Sequence, residues 1–284
     1  MYSILKVVFY FIPNSWIYLF SDFLSFILYH IIKYRRKVVF QNLQNSFPKK
    51  SIQELNRISR KFYSNLTDTI LETLLIPSLT KEQLNKKVIQ KNIELPLEYL
   101  RNGHSILVLT GHQCNWEWLL LSSSMLSEYS VDAIYRPLKN KNSDLFFLKM
   151  RSKFGANLIP MKDTLRSIIK RKDITRGIAM VADQTPPGGE IQYWTKFLNQ
   201  DTPFFVGADK IARNTSFPVF YLSMKRIKRG FYETKYELLA EPPFPEEKFS
   251  LVEKYAKALE KTIIESPSDW LWSHKRWKNV WLKS

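Results

Sequence analysis

The feature that most constrains the fold is a regular alternation of short apolar runs with segments of helical pattern. The apolar runs predict strands at residues 105–110, 131–135, 177–182, 219–224 and 233–239. The segments around them predict helices near residues 115–126, 143–154, 164–171, 206–214 and 246–264. Because strands that alternate with helices build βαβ units, the sequence predicts an α/β fold, an αβα sandwich around a mostly parallel central sheet.

A longer helix is predicted ahead of this alternation, at residues 51–75, where apolar side chains recur every three or four positions. Ser51 and Glu54 have the spacing of a capping box at its start. With 284 residues, 45% of them apolar, the chain is long enough to bury a sizeable core. We expect one domain at residues 41–284, large enough to be an enzyme, and a separate segment before it at residues 1–40.

That N-terminal segment is rich in apolar and aromatic residues, and a basic run at residues 33–37 follows it. Its charge-free stretches are shorter than the roughly 20 residues that a confident membrane span requires. Trp16, Tyr18 and Tyr29 are of the type that favours the membrane interface. The pattern therefore predicts a membrane-anchoring helical segment, as two short in-plane helices or one kinked span; a buried amphipathic helix is the alternative.

The net charge of +17 implies anionic partners. Anionic lipid surfaces, a phosphorylated glycolipid, an acidic carrier protein and nucleic acid all fit this charge. The only cysteine, Cys114, excludes an internal disulfide and is compatible with a reducing cytoplasm. No metal-ligand spacing occurs, so we expect no metal and no cofactor. The basic clusters lie at residues 33–37, 170–172, 225–229 and 275–278.

The chemically most informative residues are His112 and Glu117, directly after the apolar run that ends near Thr110. Five residues on a helix correspond to about 500° of rotation, so the two cannot be neighbours on one regular helix. They can meet if His112 lies in a turn and Glu117 in the helix that follows. A carboxylate on an imidazole is the arrangement of a general base. The alternatives are a helix-capping histidine beside a surface glutamate, or a Cys114 nucleophile at an unfavourable spacing.

Three further residues are candidates for binding substrate. Asp183 follows the predicted strand 177–182, at the end where open α/β sheets place their clefts, although it could simply cap a turn. Arg136 precedes a proline and could bind a phosphate or pair with a carboxylate. Arg151 lies near a helix end, where surface arginines are ordinary.

Several blocks of the sequence resemble one family. They are His112–Glu117 as H-x4-D/E, Tyr135-Arg136-Pro137 with Asn140 and Asp144, Arg151 with Gly155, Ala182-Asp183-Gln184, the C-terminal block from Trp270 to Lys278, and near the N-terminus Arg35-Arg36, Asn42-Leu43 and Phe47-Pro48. In this order they are similar to the late acyltransferases of bacterial lipid A biosynthesis, within the H-x4-D/E glycerolipid acyltransferases.

The resemblance implies an αβα fold, with an antiparallel element at residues 233–239. It implies O-acyl transfer at the cytoplasmic face of the bacterial inner membrane, from an acyl-carrier-protein thioester or acyl-CoA to a glycolipid such as a lipid A precursor, or to another phospholipid or aminolipid. In this interpretation Glu117 orients His112 as general base, Arg151 stabilises the oxyanion, and Arg136 and Asp183 bind substrate. We expect no nucleic-acid partner.

Two other classes stay open on the residues alone. A nucleic-acid-binding protein would use the basic clusters but leaves the His–Glu turn unexplained. A serine or cysteine hydrolase would use His112 as base, but the chain has no G-x-S-x-G elbow.

Overall fold

In a computed structural model that describes residues 2–126 and 129–283, a seven-stranded sheet lies between two layers of helices. The strands are β1 (Val88–Lys91), β2 (Ile106–Thr110), β3 (Ser130–Tyr135), β4 (Asn157–Pro160), β5 (Arg176–Val181), β6 (Trp194–Phe197), β7 (Gln200–Pro203), β8 (Val219–Lys228) and β9 (Phe231–Ala240). The helices are α1 (Tyr2–Phe11), α2 (Asn14–Phe26), α3 (Arg36–Ser46), α4 (Ile52–Leu74), α5 (Lys81–Lys87), α6 (Glu94–Arg101), α7 (Trp116–Ser123), α8 (Lys141–Arg151), α9 (Thr164–Lys170), α10 (Gly207–Thr215) and α11 (Ser250–Glu265).

The strand order in the sheet is β1-β9-β8-β2-β5-β3-β4. Strands β8, β2, β5, β3 and β4 are parallel neighbours, whereas β9 runs antiparallel to β8 and carries β1 parallel to itself. The predicted mostly parallel sheet is confirmed, and so is the antiparallel element at residues 233–239, which lies in β9.

Strand β2 lies in the middle of the sheet, and every one of its side chains is buried. Leu107 and Leu109 point to one core, which α3, α4, α10 and α11 cover. Ile106 and Val108 point to the other core, which α5, α6, α7 and α8 cover. Burial on both faces explains why the sequence of this strand is a continuous apolar run and does not alternate.

Four of the strands were not predicted from the sequence. Strands β1 and β4 have four residues each, and β6 with β7 forms a separate two-stranded antiparallel hairpin. Their sequences are short and partly polar, so they do not produce an apolar run. The capping box of α4 is confirmed, since the Ser51 hydroxyl accepts from the Glu54 N–H and the Glu54 side chain accepts from the Ser51 N–H.

The N-terminal segment forms two helices that break before Pro13, and α2 continues into a π-helical turn, Ile27–Ile31. One face of α2 packs on α4, where the Ser21 hydroxyl donates to Asp68 at 2.6 Å. Trp16 and Leu19 on the other face are each 69% exposed. Among the described residues, no helix on its own has the length and hydropathy of a membrane span; Ser15–Ile31 and Arg36–Ser46 reach them only as a pair bent by 88°.

Side chains in and next to α3 form hydrogen bonds with the backbone of residues 272–274. The Arg35 guanidinium donates to the carbonyl of Ser273 at 2.9 Å, although 238 residues separate the two. The Asn42 amide donates to the carbonyls of Trp272 and His274, at 2.9 and 3.1 Å. The first and last blocks of the sequence are therefore in contact.

Candidate active site

The candidate active site lies at the carboxyl ends of two neighbouring parallel strands. Strands β2 and β5 run side by side, with Thr110 opposite Val181. His112 follows β2 after one glycine, and Asp183 follows β5 after one alanine. Because both strands end at the same edge of the sheet, two residues that are 71 positions apart come into contact.

Asp183 contacts His112 at two points. The His112 Nδ1 lies 2.6 Å from Oδ1 of Asp183, and the His112 backbone N–H donates to Oδ2 at 2.8 Å. The indole N–H of Trp270 also donates to Oδ2, at 2.8 Å. Burial alone would raise the pKa of Asp183, but the neighbouring His112 and these hydrogen bonds lower it to about 2. The carboxyl group is therefore charged at neutral pH.

The other imidazole nitrogen, Nε2, lies 3.2 Å from the side-chain nitrogen of Gln184. A charged carboxylate can only accept a hydrogen bond, so the neutral imidazole carries its proton on Nδ1. Its Nε2 then accepts from Gln184. This atom faces a small recess lined by His112, Asp183, Gln184, Trp270, Leu271 and His274. A hydroxyl group that displaced the Gln184 amide could donate its proton to Nε2.

Gly111 allows the close approach on which this geometry depends. A Cβ atom there would lie 2.6 Å from Cδ1 of Leu259 and 3.3 Å from Oδ2 of Asp183. A larger residue would displace the end of the Leu259 side chain or shift the turn away from the Asp183 carboxylate. The absence of a side chain at Gly111 thus permits the close approach of the turn to Asp183.

Residues 269–278, here called the C-terminal segment, cover the turn from the other side. The Leu271 N–H donates to the His112 carbonyl at 3.1 Å, and Gln113 pairs with Trp270 in an isolated β-bridge. His274 also lines the recess. Burial lowers the pKa of His274 to about 4, although Asp183 opposes this change. His274 is therefore neutral at neutral pH.

Glu117 has a different partner from the one expected. Its two carboxylate oxygens accept from Nη2 and Nε of Arg151, at 2.6 and 2.8 Å. The prediction that Glu117 orients His112 is wrong for this structure, because Asp183 occupies Nδ1 and Arg151 engages both oxygens of Glu117. Burial alone would lower the pKa of Arg151, but its pairing with Glu117 raises it. This bidentate pair joins the first turn of α7 to the last residue of α8.

Arg136 lies directly after β3, exposed at the same edge of the sheet. The block around it has a local structural role. The side-chain oxygen of Asn140 caps α8 by accepting from the Ser143 N–H at 3.0 Å, and the Asp144 side chain accepts from the Leu138 N–H at 2.8 Å. The resemblance at these positions therefore reflects how α8 begins.

Two of the basic clusters are not free surface charge. Arg276 is fully buried and lies 4.5 Å from the ring centroid of Phe204. Arg226 pairs with Asp269 at 3.2 Å, and Arg229 pairs with Asp68 at 2.6 Å. These three arginines therefore do not form solvated basic faces. Their charge is used inside the protein, where it offsets buried carboxylates.

The thiol of Cys114 is fully enclosed and donates to the carbonyl of Met224 at 3.2 Å. Burial raises the pKa of Cys114 well above its ordinary value, so the reactive thiolate is disfavoured. In the described part of the chain, no group of three or more His, Cys, Asp or Glu side chains is placed to hold a metal ion.

Gln184, Trp270 and His274 belong to the candidate active site, but their positions in the sequence did not predict a role in it. Each lies within a block that carries the family resemblance. The resemblance therefore marked these positions, but it did not indicate what their side chains do. Spacing in the sequence could not reveal the contact between the C-terminal segment and Asp183, because about 90 positions separate them. Asp183 and Trp270, for example, are 87 positions apart.

A sequence profile of the bacterial lipid A biosynthesis acyltransferase family matches residues 1–279. The matched span contains His112, Asp183 and the whole C-terminal segment. A search of curated proteins finds no significant match.

Proposed function

Because the chain belongs to the bacterial lipid A biosynthesis acyltransferase family, it is an acyltransferase that acts on lipids, and we propose its reaction in more detail. The protein moves a fatty acyl chain from an acyl-carrier-protein thioester to a hydroxyl group of a glycolipid such as a lipid A precursor. Acyl-CoA as donor and a phospholipid or aminolipid as acceptor are the alternatives. The observation that carries this proposal is the buried Asp183 on Nδ1 of His112, with Nε2 facing the recess.

In the proposed reaction, Nε2 of His112 takes the proton of the acceptor hydroxyl as the oxygen attacks the thioester carbonyl. A carbon–oxygen bond forms and a tetrahedral oxyanion results. When the intermediate collapses, the carbon–sulfur bond breaks and the imidazolium returns its proton to the leaving thiolate. Asp183 stabilises the imidazolium and fixes the tautomer. The charge of Asp183 at neutral pH supports this role.

The transfer needs no acyl-enzyme intermediate, since both substrates can react directly when they are held together. The burial of Cys114 and its bond to the Met224 carbonyl support the direct route. We assign Glu117 the role of holding Arg151 in place. The paired guanidinium then stabilises the oxyanion or a substrate phosphate, because a preorganised cation costs no rearrangement when charge develops. Arg136, exposed at the same sheet edge, is proposed to bind a phosphate of the acceptor.

Residues 1–40 are proposed to attach the protein to the cytoplasmic face of the inner membrane, with residues 41–284 as the acyltransferase domain. Two features support this. Trp16, Leu19 and Phe23 present apolar side chains to solvent on the face of α2 away from α4. The basic residues 33–37 follow directly and are suited to anionic headgroups.

The proposal is tested with purified full-length protein in mixed micelles that contain the lipid A precursor and an acyl-carrier-protein thioester. Mass spectrometry should find an acceptor that is heavier by one acyl chain. His112→Ala should abolish this product, whereas His104→Ala, at an exposed histidine before β2, should leave it unchanged. Parallel reactions with acyl-CoA and with a phospholipid acceptor identify the donor and acceptor. Product formation by His112→Ala at the wild-type rate would refute the assigned base.

A further inference from the structure

The carboxylate of Glu72 lies where three elements meet. Glu72 is in the last turn of α4 and is fully buried. The Tyr18 hydroxyl, from α2, donates to its Oε1 at 2.9 Å. The Asn115 amide, before α7, and the Tyr232 hydroxyl, from β9, donate to its Oε2 at 2.8 and 2.6 Å. The reaction proposed above does not use this carboxylate.

One of these contacts fixes the turn that carries the active site. Asn115 is the N-cap of α7, and its side-chain oxygen accepts from the Trp118 N–H at 2.9 Å. With the oxygen used there, the amide N–H group is directed at Glu72. The Trp118 indole N–H donates to the Glu72 carbonyl at 3.1 Å. Asn115 stands three residues after His112 and two before Glu117, so its position affects both.

The turn needs such external support. Cys114, next to Asn115, has a φ of +53°, in the left-handed region that non-glycine residues disfavour. A residue keeps that conformation only when the surrounding contacts impose it. The Thr69 hydroxyl donates to the Cys114 carbonyl at 3.2 Å. Because Thr69 is one helical turn before Glu72, α4 holds the turn at two neighbouring points.

The other contact leads to the N-terminal helix. Tyr18 projects from α2 toward α4, and the Arg229 guanidinium lies 4.8 Å from its ring centroid. Arg229 in turn pairs with Asp22 at 2.7 Å and with Asp68 at 2.6 Å. One polar cluster thus joins α2 and α4, and Glu72 is its link to the catalytic turn.

We propose that Glu72 is a positioning residue through which the seating of α2 on α4 sets the conformation of the turn at residues 112–117. When α2 leaves α4, Oε1 loses its donor, and the carboxylate shifts toward the donors that remain on Oε2. The Asn115 cap then loosens, and His112 and Glu117 lose their register with Asp183 and Arg151. Acyl transfer therefore depends on a correctly seated N-terminal helix. This inference rests on the proposed function.

The test compares Tyr18→Phe and Glu72→Gln with Tyr99→Phe in the full-length protein. Tyr99→Phe is the matched control, since it removes a tyrosine hydroxyl from another glutamate, Glu241, outside this cluster. In the first two variants we expect kcat to fall about tenfold with the donor KM changed less than about twofold, as for other supporting contacts of an active site. Amide exchange in residues 111–121 should rise by a similar factor. Tyr99→Phe should change neither quantity.

Two further readouts separate the outcomes. Adding Tyr18→Phe to Glu72→Gln should cause no additional loss of kcat, because both act through the same carboxylate. If Glu72→Gln does not fold, Tyr18→Phe alone decides. Wild-type kcat and unchanged exchange in Tyr18→Phe would overturn the inference and leave the proposed function intact. If the wild-type protein transfers no acyl group, the proposed function fails, and the exchange of residues 111–121 still decides whether Glu72 positions the turn.

Discussion

Replacing Asp183 with asparagine is the most direct test of the His112–Asp183 pair. The carboxylate accepts three hydrogen bonds, two at Oδ2 and one at Oδ1. An asparagine has one accepting oxygen, which best occupies the Oδ2 position, where the His112 backbone and Trp270 both donate. Its NH2 group then faces Nδ1 of His112. A donor at that place requires Nδ1 to accept, so the imidazole proton moves to Nε2.

The size of the effect follows from this change of tautomer. With its proton on Nε2, His112 cannot take a proton from the acceptor hydroxyl. In serine proteases the same Asp-to-Asn change leaves the geometry intact and lowers kcat about 10⁴-fold. We expect a loss of about 10³- to 10⁴-fold in kcat for Asp183→Asn, with the donor KM little changed.

The assay is single-turnover transfer from the acyl-carrier-protein thioester in mixed micelles, with thermal unfolding measured on the same preparations. Asp173→Asn, at an exposed aspartate, is the matched control and should have wild-type kcat. If folded Asp183→Asn kept more than a tenth of the wild-type kcat, the assignment of Asp183 as the residue that fixes the His112 tautomer would be refuted.

The remaining predictions concern the second ion pair, the cysteine and acid stability. Glu117→Gln and Arg151→Lys should each lower kcat about 10²-fold, since neither keeps the bidentate geometry of the ion pair. Arg166→Lys, on the surface of α9, is the control and should not lower kcat. If the pair variants were as active as this control, the proposed role of the pair would be contradicted. Cys114→Ser should keep most of the transfer activity, and a trapped acyl thioester on Cys114 would instead indicate a covalent route. Because the folded-state pKa of Asp183 is depressed from 3.8 to about 2, its charge contributes about 2 kcal/mol above pH 4, which is lost as the pH falls toward 2. The urea midpoint of unfolding should therefore fall less between pH 5 and pH 3 in Asp183→Asn than in the wild-type protein. An identical fall of the midpoint in both proteins would show that other groups dominate the acid sensitivity.

A strand could be predicted from the sequence where burial on both faces leaves a continuous apolar run, as in β2. The partly polar four-residue strands β1 and β4 carry no such signal, because their position is imposed by neighbours in the sheet. His112 and Asp183 were each singled out as residues that follow a strand. Their contact was not predicted, because strand order decides which strand ends are adjacent, and alternation of helices and strands does not reveal order.

The same limit explains the misassigned partner of Glu117. A spacing of five residues allows His112 and Glu117 to meet, but a second carboxylate, Asp183, competes for the same imidazole. Asp183 is fixed by the Trp270 indole, which comes from the end of the chain. Arg151 draws Glu117 toward α8. Neither partner is close in sequence, so only the tertiary structure selects between the two carboxylates.

From the contacts of Arg35 and Asn42 with residues 272–274, we expect the active site to be completed late in the synthesis of the chain. The residues that cover His112 are translated about 160 positions after it, as the Leu271 contact with the His112 carbonyl shows. A growing chain can form the parallel strands and bring His112 beside Asp183, but it has no Trp270 to hold that carboxylate. We therefore expect each molecule to gain activity only once residues 269–278 are free to fold back onto α3. If the apolar N-terminal helices bind the bilayer as proposed, a growing chain is held inactive beside its lipid substrates until that segment has been translated.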